Sequence, residues 1–518
     1  MTKILYVPLD ERACNYVFPQ KLAAMTDDLE LLVPPRSWMG FKKRPADFDA
    51  IWQWLFENAP ACQYAILSVD TLVYGNIINS RTHHRTRTQC AATLENFRRL
   101  KRENPHLHIH AFNLVARVAA YDGDMEDPDY WAFHGRDIWQ YTYLCDKCGR
   151  GEGSPEEATE CDALKNAIPA DFLRDFLDRR AVDRATNLAC VDLAREGVFD
   201  VLTIPKDDTA EYGYAAMDQQ AVAQCVRDKC LMDRVLVYPG ADEVGSVLLA
   251  RVFCLAKHYR PRVYLRYSST LGPWIVPHYE DRPLNEGVKA QIASIGGVVE
   301  AEASRSDCML ALNSPGKHMI ESIDQYHKDL TFSSHRNLNE FFSYIRSYRE
   351  DYGKPIGLAE VAVCNGCENE CMDLALLTGT YERLSAAGGW NTSMNTVGVV
   401  LAQTVIAAYY HGFESMPLQK KRSDEFLAGS LCADWLCQSN VLHHFLMETR
   451  GRIDPYGLEA NYDEAEAYFR RELQSLLNQK FPNGLKGGYP KLEGVKFHWD
   501  GVFYYELDVS LCGERPGE

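Results

Sequence analysis

Short apolar runs that end in acids recur along the first half of this chain, and this recurrence narrows the available folds more than any other feature. Lys3–Leu9 runs into Asp10-Glu11-Arg12, and Tyr64–Val69 into Asp70. Val201–Pro205 runs into Lys206-Asp207-Asp208, and Val235–Tyr238 into Pro239-Gly240-Ala241-Asp242-Glu243. Runs of this length bounded by turn residues suit buried strands. Leu29–Val33, His108–Val115 and Arg262–Tyr267 add further strands. Helical stretches stand between them, at Phe48–Glu57, Cys90–Arg102 and from Val244 to Leu255. Alternating strands and helices build parallel sheets with helices on their faces.

The expected fold class is therefore α/β, made of parallel β/α units in Rossmann-like lobes or a barrel-like ring, with a helical C-terminal region. A first lobe is expected over 1–275, with an insertion at about 120–199 that carries the loop Gly149–Pro155 and lies over the strand ends as a lid. The pattern restarts after Pro273, Pro277 and Pro283, with strands at Gly297–Ala301, Cys308–Leu312 and Pro355–Cys364, which gives a second lobe over 276–414. Helical segments at Asp424–Glu448 and Tyr462–Asn478 fill 415–518, closed by a β-hairpin over Val495–Val509 turned at Asp500-Gly501.

A chain of 518 residues is too long for one ordinary core. Its 55 Lys+Arg against 72 Asp+Glu leave a net charge of −17, which argues against nucleic acid as a partner. The opening Met1–Asp10 turns acidic too soon for a secretory signal, and Val397–Tyr410 is too short to cross a membrane. Seventeen cysteines, an odd number, point to reduced thiols and a cytoplasmic setting rather than a disulfide framework.

Asp242 before an apolar helix reads on its own as an N-cap, with Glu243 complementing the helix dipole. Acids at four strand ends are harder to explain by capping. In parallel architectures strand carboxyl ends share one rim, where ligands gather. Asp70, Asp207, Asp208, Asp242 and Glu243 are thus candidate catalytic groups, since paired carboxylates in unlike environments divide acid and base work. If Asp242 caps the helix, Glu243 is the freer of the two. Asp10, Glu11, Arg12, Asn15, Tyr74 and Arg81 flank them as candidate binding residues, and Lys206 is placed to hold a neighbouring acid ionised. The alternative for the arginines is an internal ion-pair network. The string Gly388-Gly389-Trp390-Asn391-Thr392-Ser393-Met394-Asn395 offers an aromatic plane with amides and a hydroxyl, which suits a sugar; the plainer reading is a helix cap with Trp390 as a staple. Cys364–Cys371 forms a second loop of the same wall.

Cys145-Asp146-Lys147-Cys148 with Cys161, and Cys364-Asn365-Gly366-Cys367 with Cys371, each lack four local zinc ligands, so structural zinc is disfavoured. No phosphate-binding glycine loop, nucleophile elbow or HExxH motif is present.

These strings together resemble the bacterial DUF4127 family. The resemblance rests on Pro8–Tyr16, Ser68–Gly75 with Ser80-Arg81, Lys206-Asp207-Asp208, Gly240–Glu243 and Gly389–Thr392 with Asn395. It covers most of 1–410, and departs from the family pattern at Asn76, where glycine is expected, and at Ala13, where proline is usual. The resemblance implies one shared site but names no reaction.

The leading expectation from the residues is a glycoside hydrolase acting on a small or terminal glycoside through two of the strand-end acids. A divalent-metal hydrolase using the same acids as ligands is the alternative, and a non-enzymatic small-molecule binding protein the third reading. The expected partner is a small molecule, a sugar, with neither nucleic acid nor membrane, and a homo-oligomer is left open. No cofactor is expected beyond the divalent metal of the alternative.

Overall fold

The computed structural model describes residues 1–516, and the chain divides into two compact units. The first comprises residues 1–11, 28–245 and 279–281, and the second comprises 12–27, 246–278 and the chain from Arg282 onward.

The first unit is built on a six-stranded sheet of β1 (Thr2–Val7), β2 (Leu29–Leu32), β3 (Tyr64–Ser68), β4 (His108–Phe112), β5 (Val201–Lys206) and β6 (Val235–Pro239). The order is β2-β1-β3-β4-β5-β6 and every pairing is parallel. Residues 4–7 of β1, 65–68 of β3 and all of β5 are buried, as strands covered on both faces must be. The sheet is open, with edges at β2 and β6, so the barrel-like option does not apply. β1 has β2 on one side and β3 on the other, which makes the β1/β3 boundary the point where connections switch direction. Thr71 Oγ1 ties the two strand ends together, 2.7 Å from the Pro8 carbonyl and 2.8 Å from that of Leu9.

The stretch 120–199 has two parts, and Trp139 and Thr142 of the earlier part line a cavity with Asp208, which follows β5. The later part, the helix Ala170–Arg195, is the crossover from β4 to β5 and buries Arg179, Arg180, Asp183 and Asn187. Polar and charged residues thus stand on a buried face of this helix. The preceding helices Trp131–Gly149 and Pro155–Ala167 lead into it, and Trp131, Ile138 and Tyr141 share a small core with Ile168, Leu173, Phe176 and Ala215.

The second unit repeats the parallel plan. Its strands are β7 (Arg262–Tyr267), β8 (Val298–Glu300), β9 (Cys308–Asn313), β10 (Ile320–Glu321), β11 (Ile356–Glu360), β12 (Val363–Cys364) and β13 (Ala386–Gly388). Five of them form a parallel sheet in the order β13-β11-β9-β7-β8, while β10 and β12 pair separately. The expected single strand Pro355–Cys364 is therefore two strands in two sheets. The helix Ser393–Tyr409 is buried on all sides from Ser393 to Ala408, consistent with its apolar sequence. It packs closely on the helix Leu284–Ile295, where a Cβ on Gly287 would lie 2.6 Å from Met394 Sδ.

The C-terminal part is helical, as its sequence indicates, and its Trp435, Phe469 and Phe497 share a core with Leu358 and Met309 of the sheet. Within it, Leu431–Val441 is a π-helix, a form that concentrates at functional sites. Ser439 Oγ reaches the Asp434 carbonyl at 3.3 Å and Asn440 Nδ2 the Trp435 carbonyl at 2.9 Å, so side chains supplement its backbone bonds. The closing hairpin pairs β14 (Tyr489–Phe497) with β15 (Tyr505–Cys512), and both strands extend beyond the range the alternation marks.

Candidate functional site

Because the strands of the first sheet are parallel, their carboxyl ends lie along one edge; Lys206 ends β5, and Asp10, Glu11, Asp70, Asp207, Asp208, Asp242 and Glu243 follow strands of that sheet. Most of them are committed to neighbours. Asp70 accepts hydrogen bonds from Asn113 Nδ2 at 3.1 Å and the Leu114 N–H at 2.9 Å, joining the ends of β3 and β4. Asn113 in turn accepts from Asn187 Nδ2 at 2.7 Å. Burial pushes the Asp70 carboxyl up to about 7, against the lowering effect of those two bonds.

Asp207 and Asp208 sit in a paired network. Arg81 donates through Nε (3.0 Å) and Nη2 (2.6 Å) to Asp207 Oδ2, and through Nη1 to Glu126 at 2.8 Å. Arg117 donates through Nη1 to Asp208 Oδ2 at 2.9 Å. Its Nη2 reaches Glu126 (3.1 Å), Asp127 (3.0 Å) and the Tyr121 hydroxyl (2.6 Å). Two guanidinium groups thus link four carboxylates, and Arg81 serves this network. Glu126, Asp127 and Arg117 were not singled out from sequence, although the acidic run Asp122–Asp129 was a signal.

Asp208 is the acid of this network that opens onto space. Its side chain is 29 % exposed. It lines a cavity of about 180 Å³ walled by Trp139, Tyr212, Tyr214 and Tyr279, with Thr142 and Thr209 between them. Asp208 itself adopts a positive φ of 20°, the sparsely populated backbone region where strain collects at functional sites. Burial of most of the group raises its carboxyl, Arg117 opposes the rise, and the neighbouring Asp207 charge adds to it.

Three expectations need correction. Lys206 pairs with Asp281, the last residue of the segment Tyr279–Asp281. Glu243 is not exposed for a ligand: like Asp242 it is buried, and its Oε2 accepts from the Ala241 N–H at 3.0 Å. Its carboxylate folds over Gly240 (φ 135°), where a Cβ would lie 2.1 Å from Oε1. Tyr74 stacks on His83, with ring centroids 4.3 Å apart, and lines a separate cavity of about 760 Å³ with Arg85, Tyr130, Phe172 and Arg179.

Arg12, Asn15, Trp390, Asn391, Thr392 and Asn395 belong to the second unit. Arg12 lies over the Trp499 ring, 4.5 Å from its centroid, and Asn15 is buried in the helix Ala13–Tyr16. Trp390 meets Phe18 edge-on at 5.9 Å. Thr392 holds the N-cap position without a side-chain cap bond; instead the Trp390 N–H donates to Thr396 Oγ1 at 2.9 Å. The Asn365 N–H donates to the Asn391 carbonyl at 2.9 Å, so the loop at 364–371 does lie beside the Trp390 loop. Asp434 of the π-helix accepts from the Gly389 N–H at 3.0 Å, and burial pushes its carboxyl up to about 7.

The second unit carries an acid pair of its own, Glu360 and Glu368, bridged by Asn313. Arg336 chelates Glu368, with Nη2 to Oε1 at 2.7 Å, and Lys328 adds a bond to the same oxygen at 2.6 Å. Asn313 Nδ2 donates to both Glu360 and Glu368, and the Glu368 N–H donates to Glu360 Oε2 at 3.2 Å. Burial and then the Glu368 charge push the Glu360 carboxyl up to about 8. Burial also works against ionised Glu368, but Arg336 and Lys328 hold its carboxyl below the ordinary range. Each oxygen of both carboxylates accepts a hydrogen bond, so the cluster braces the ends of β9 and β11.

The match to a family model labelled Protein of unknown function (DUF4127) runs over residues 4–508. The chain belongs to the DUF4127 family. No curated protein matches it. Two departures from the DUF4127 pattern have physical explanations here. Asn76 has φ −179°, an extended backbone open to any residue, and caps the helix Ile77–Thr82 by accepting from the Asn79 N–H at 2.9 Å. Ala13 opens the helix Ala13–Tyr16, a first-turn position that proline also suits.

Proposed function

We propose that the protein is a glycoside hydrolase that holds one sugar ring in the cavity beside Asp208. The observation that carries this reading is the meeting of a raised carboxyl with an aromatic-walled cavity of about 180 Å³ at the end of β5. Aromatic faces match the C–H face of a sugar, while Thr142, Thr209 and Asp208 supply hydroxyl partners. Asp208 is the general acid, because a raised carboxyl keeps its proton closer to neutral pH. Asp207, ion-paired to Arg81, is the second carboxylate of the pair. The metal reading of these acids is less favoured, since Asp207 Oδ2 and Asp208 Oδ2 already accept from Arg81 and Arg117.

The test is turnover of a panel of chromogenic aryl glycosides by the full chain, with Asp208→Asn and Trp139→Ala alongside. Asp208→Asn is expected to lower kcat by about 100-fold or more, the scale of general acid catalysis. Trp139→Ala is expected to raise KM with a smaller effect on kcat. Absence of turnover across the panel, or full activity in Asp208→Asn, overturns the assignment.

A further inference from the structure

In the second unit, three side chains with metal-binding donors converge. Glu321 ends β10 and Cys364 ends β12, and the two are register partners in that parallel pair, so their side chains leave the same face. His278 approaches from the segment that precedes residue 279, with Nδ1 3.8 Å from Cys364 Sγ. The donor atoms of His278, Glu321 and Cys364 all lie within 4.8 Å of one another, and among the described residues no other group of His, Cys and acidic side chains converges so closely.

We propose that His278, Glu321 and Cys364 form a binding site for a divalent cation of the zinc type. A thiolate, an imidazole and a carboxylate are the ligand types zinc takes, at about 2.3 Å for sulfur and about 2.0–2.2 Å for nitrogen and oxygen. Tetrahedral geometry at those lengths sets sulfur and nitrogen about 3.6 Å apart, so the observed pair needs only a small contraction. Three protein ligands leave a fourth position for water or a ligand, as in open rather than structural zinc sites. Thiolate and carboxylate together balance the charge of the ion, and the sulfur selects zinc over magnesium or calcium.

The surroundings orient the ligands. Asn365 Nδ2 donates to Glu321 Oε2 at 2.9 Å, which orients the carboxylate beside Cys364 and His278. Ser322 Oγ donates to the Asn365 carbonyl, locking the turn after β12 to the turn after β10. The His278 N–H donates to Met319 Sδ at 3.4 Å, which anchors the histidine backbone next to β10. Cys364 is buried while His278 is exposed, so the site is anchored within the unit and reachable from solvent.

The experiment uses the untagged full chain, stripped with a chelator and titrated with Co²⁺, then with Zn²⁺. One equivalent of Co²⁺ is expected to produce a thiolate-to-cobalt absorption band, which Zn²⁺ abolishes by displacement. Cys364→Ser is expected to lose the band. His278→Ala and Glu321→Gln are expected to weaken binding by at least about 10-fold, while Cys367→Ser and Cys371→Ser retain it. His278 is exposed, so its variant keeps the test valid if Cys364→Ser does not fold. Absence of the band in the wild-type chain, its persistence in Cys364→Ser, or unchanged affinity in His278→Ala overturns the proposal.

Discussion

Arg81 directs two N–H groups at a single oxygen of Asp207, at 3.0 and 2.6 Å, and both side chains are less than a tenth exposed. A third N–H reaches Glu126. Removing the guanidinium leaves two enclosed carboxylates short of their cation. Breaking a buried pair from one side costs about 3–5 kcal/mol. Arg81→Ala is therefore expected to lower stability by about that amount in urea unfolding, and Arg81→Lys, which keeps the charge but not the fork, by less. Equal midpoints for wild type and Arg81→Ala are the result that contradicts this account.

Arg117 sets the second prediction, which rests on the proposed role of Asp208. Its guanidinium favours the ionised form of Asp208 and so opposes the rise that burial imposes. Arg117→Gln removes that opposition, and the Asp208 carboxyl rises further. If Asp208 is the general acid, activity is lost as it ionises, so the alkaline limb of the pH–kcat/KM profile moves to higher pH in the variant. The profile is measured on protein whose circular dichroism matches wild type, because Arg117 also neutralises Glu126 and Asp127. A limb that stays in place, or moves to lower pH, removes Asp208 from that role.

Asp434 gives a prediction that does not depend on the reaction. Its folded carboxyl titrates near 7, against about 3.9 for an unfolded aspartate. Between those values the folded chain holds a proton that the unfolded chain has released. Stability from this group is present at low pH, falls as pH rises from about 4 to about 7, and stays level above that, with a slope of up to about 1.4 kcal/mol per pH unit. Asp434→Asn can keep the bond from the Gly389 N–H and has no charge to bury. The variant is expected to match wild type near pH 4 and to be more stable near pH 8, read from urea midpoints at both. A wild-type advantage at pH 8 contradicts it.

Most strands of both sheets were legible because a parallel strand buried on two faces is a largely apolar run, as Val201–Pro205 and Cys308–Leu312 are. β13 was not, because Ala386-Ala387-Gly388 carries too little apolar mass to stand out. The break at Val361-Ala362 was hidden because both sides of it are apolar. The rim of acids in the first unit followed from strand ends alone. What each acid is bonded to did not, because Arg81 reaches Asp207 across 126 residues and Arg117 reaches Asp208 across 91. Glu360 had the same signal as Asp70, an acid closing an apolar run. Arg336 had none, since it lies in the loop between the helices Thr331–Ser334 and Leu338–Tyr352.

That hidden arginine gives the last prediction. Arg336 and Glu368 are each almost wholly enclosed, and Asn313 and Lys328 complete the oxygens of Glu368. Arg336→Met leaves Glu368 with Lys328 as its remaining cation partner in this cluster, and the loss is expected to be about 3–5 kcal/mol. Adding Glu368→Gln to that variant removes the stranded charge. The second change is then expected to cost less in the Arg336→Met background than in wild type. The four chains of the double-mutant cycle, compared by urea unfolding, should show a coupling above about 1.5 kcal/mol, within the range for residues sharing a buried network. Additive losses mean that Arg336 acts on the fold through its packing on Phe332, whose ring centroid is 5.1 Å from the guanidinium, rather than through Glu368.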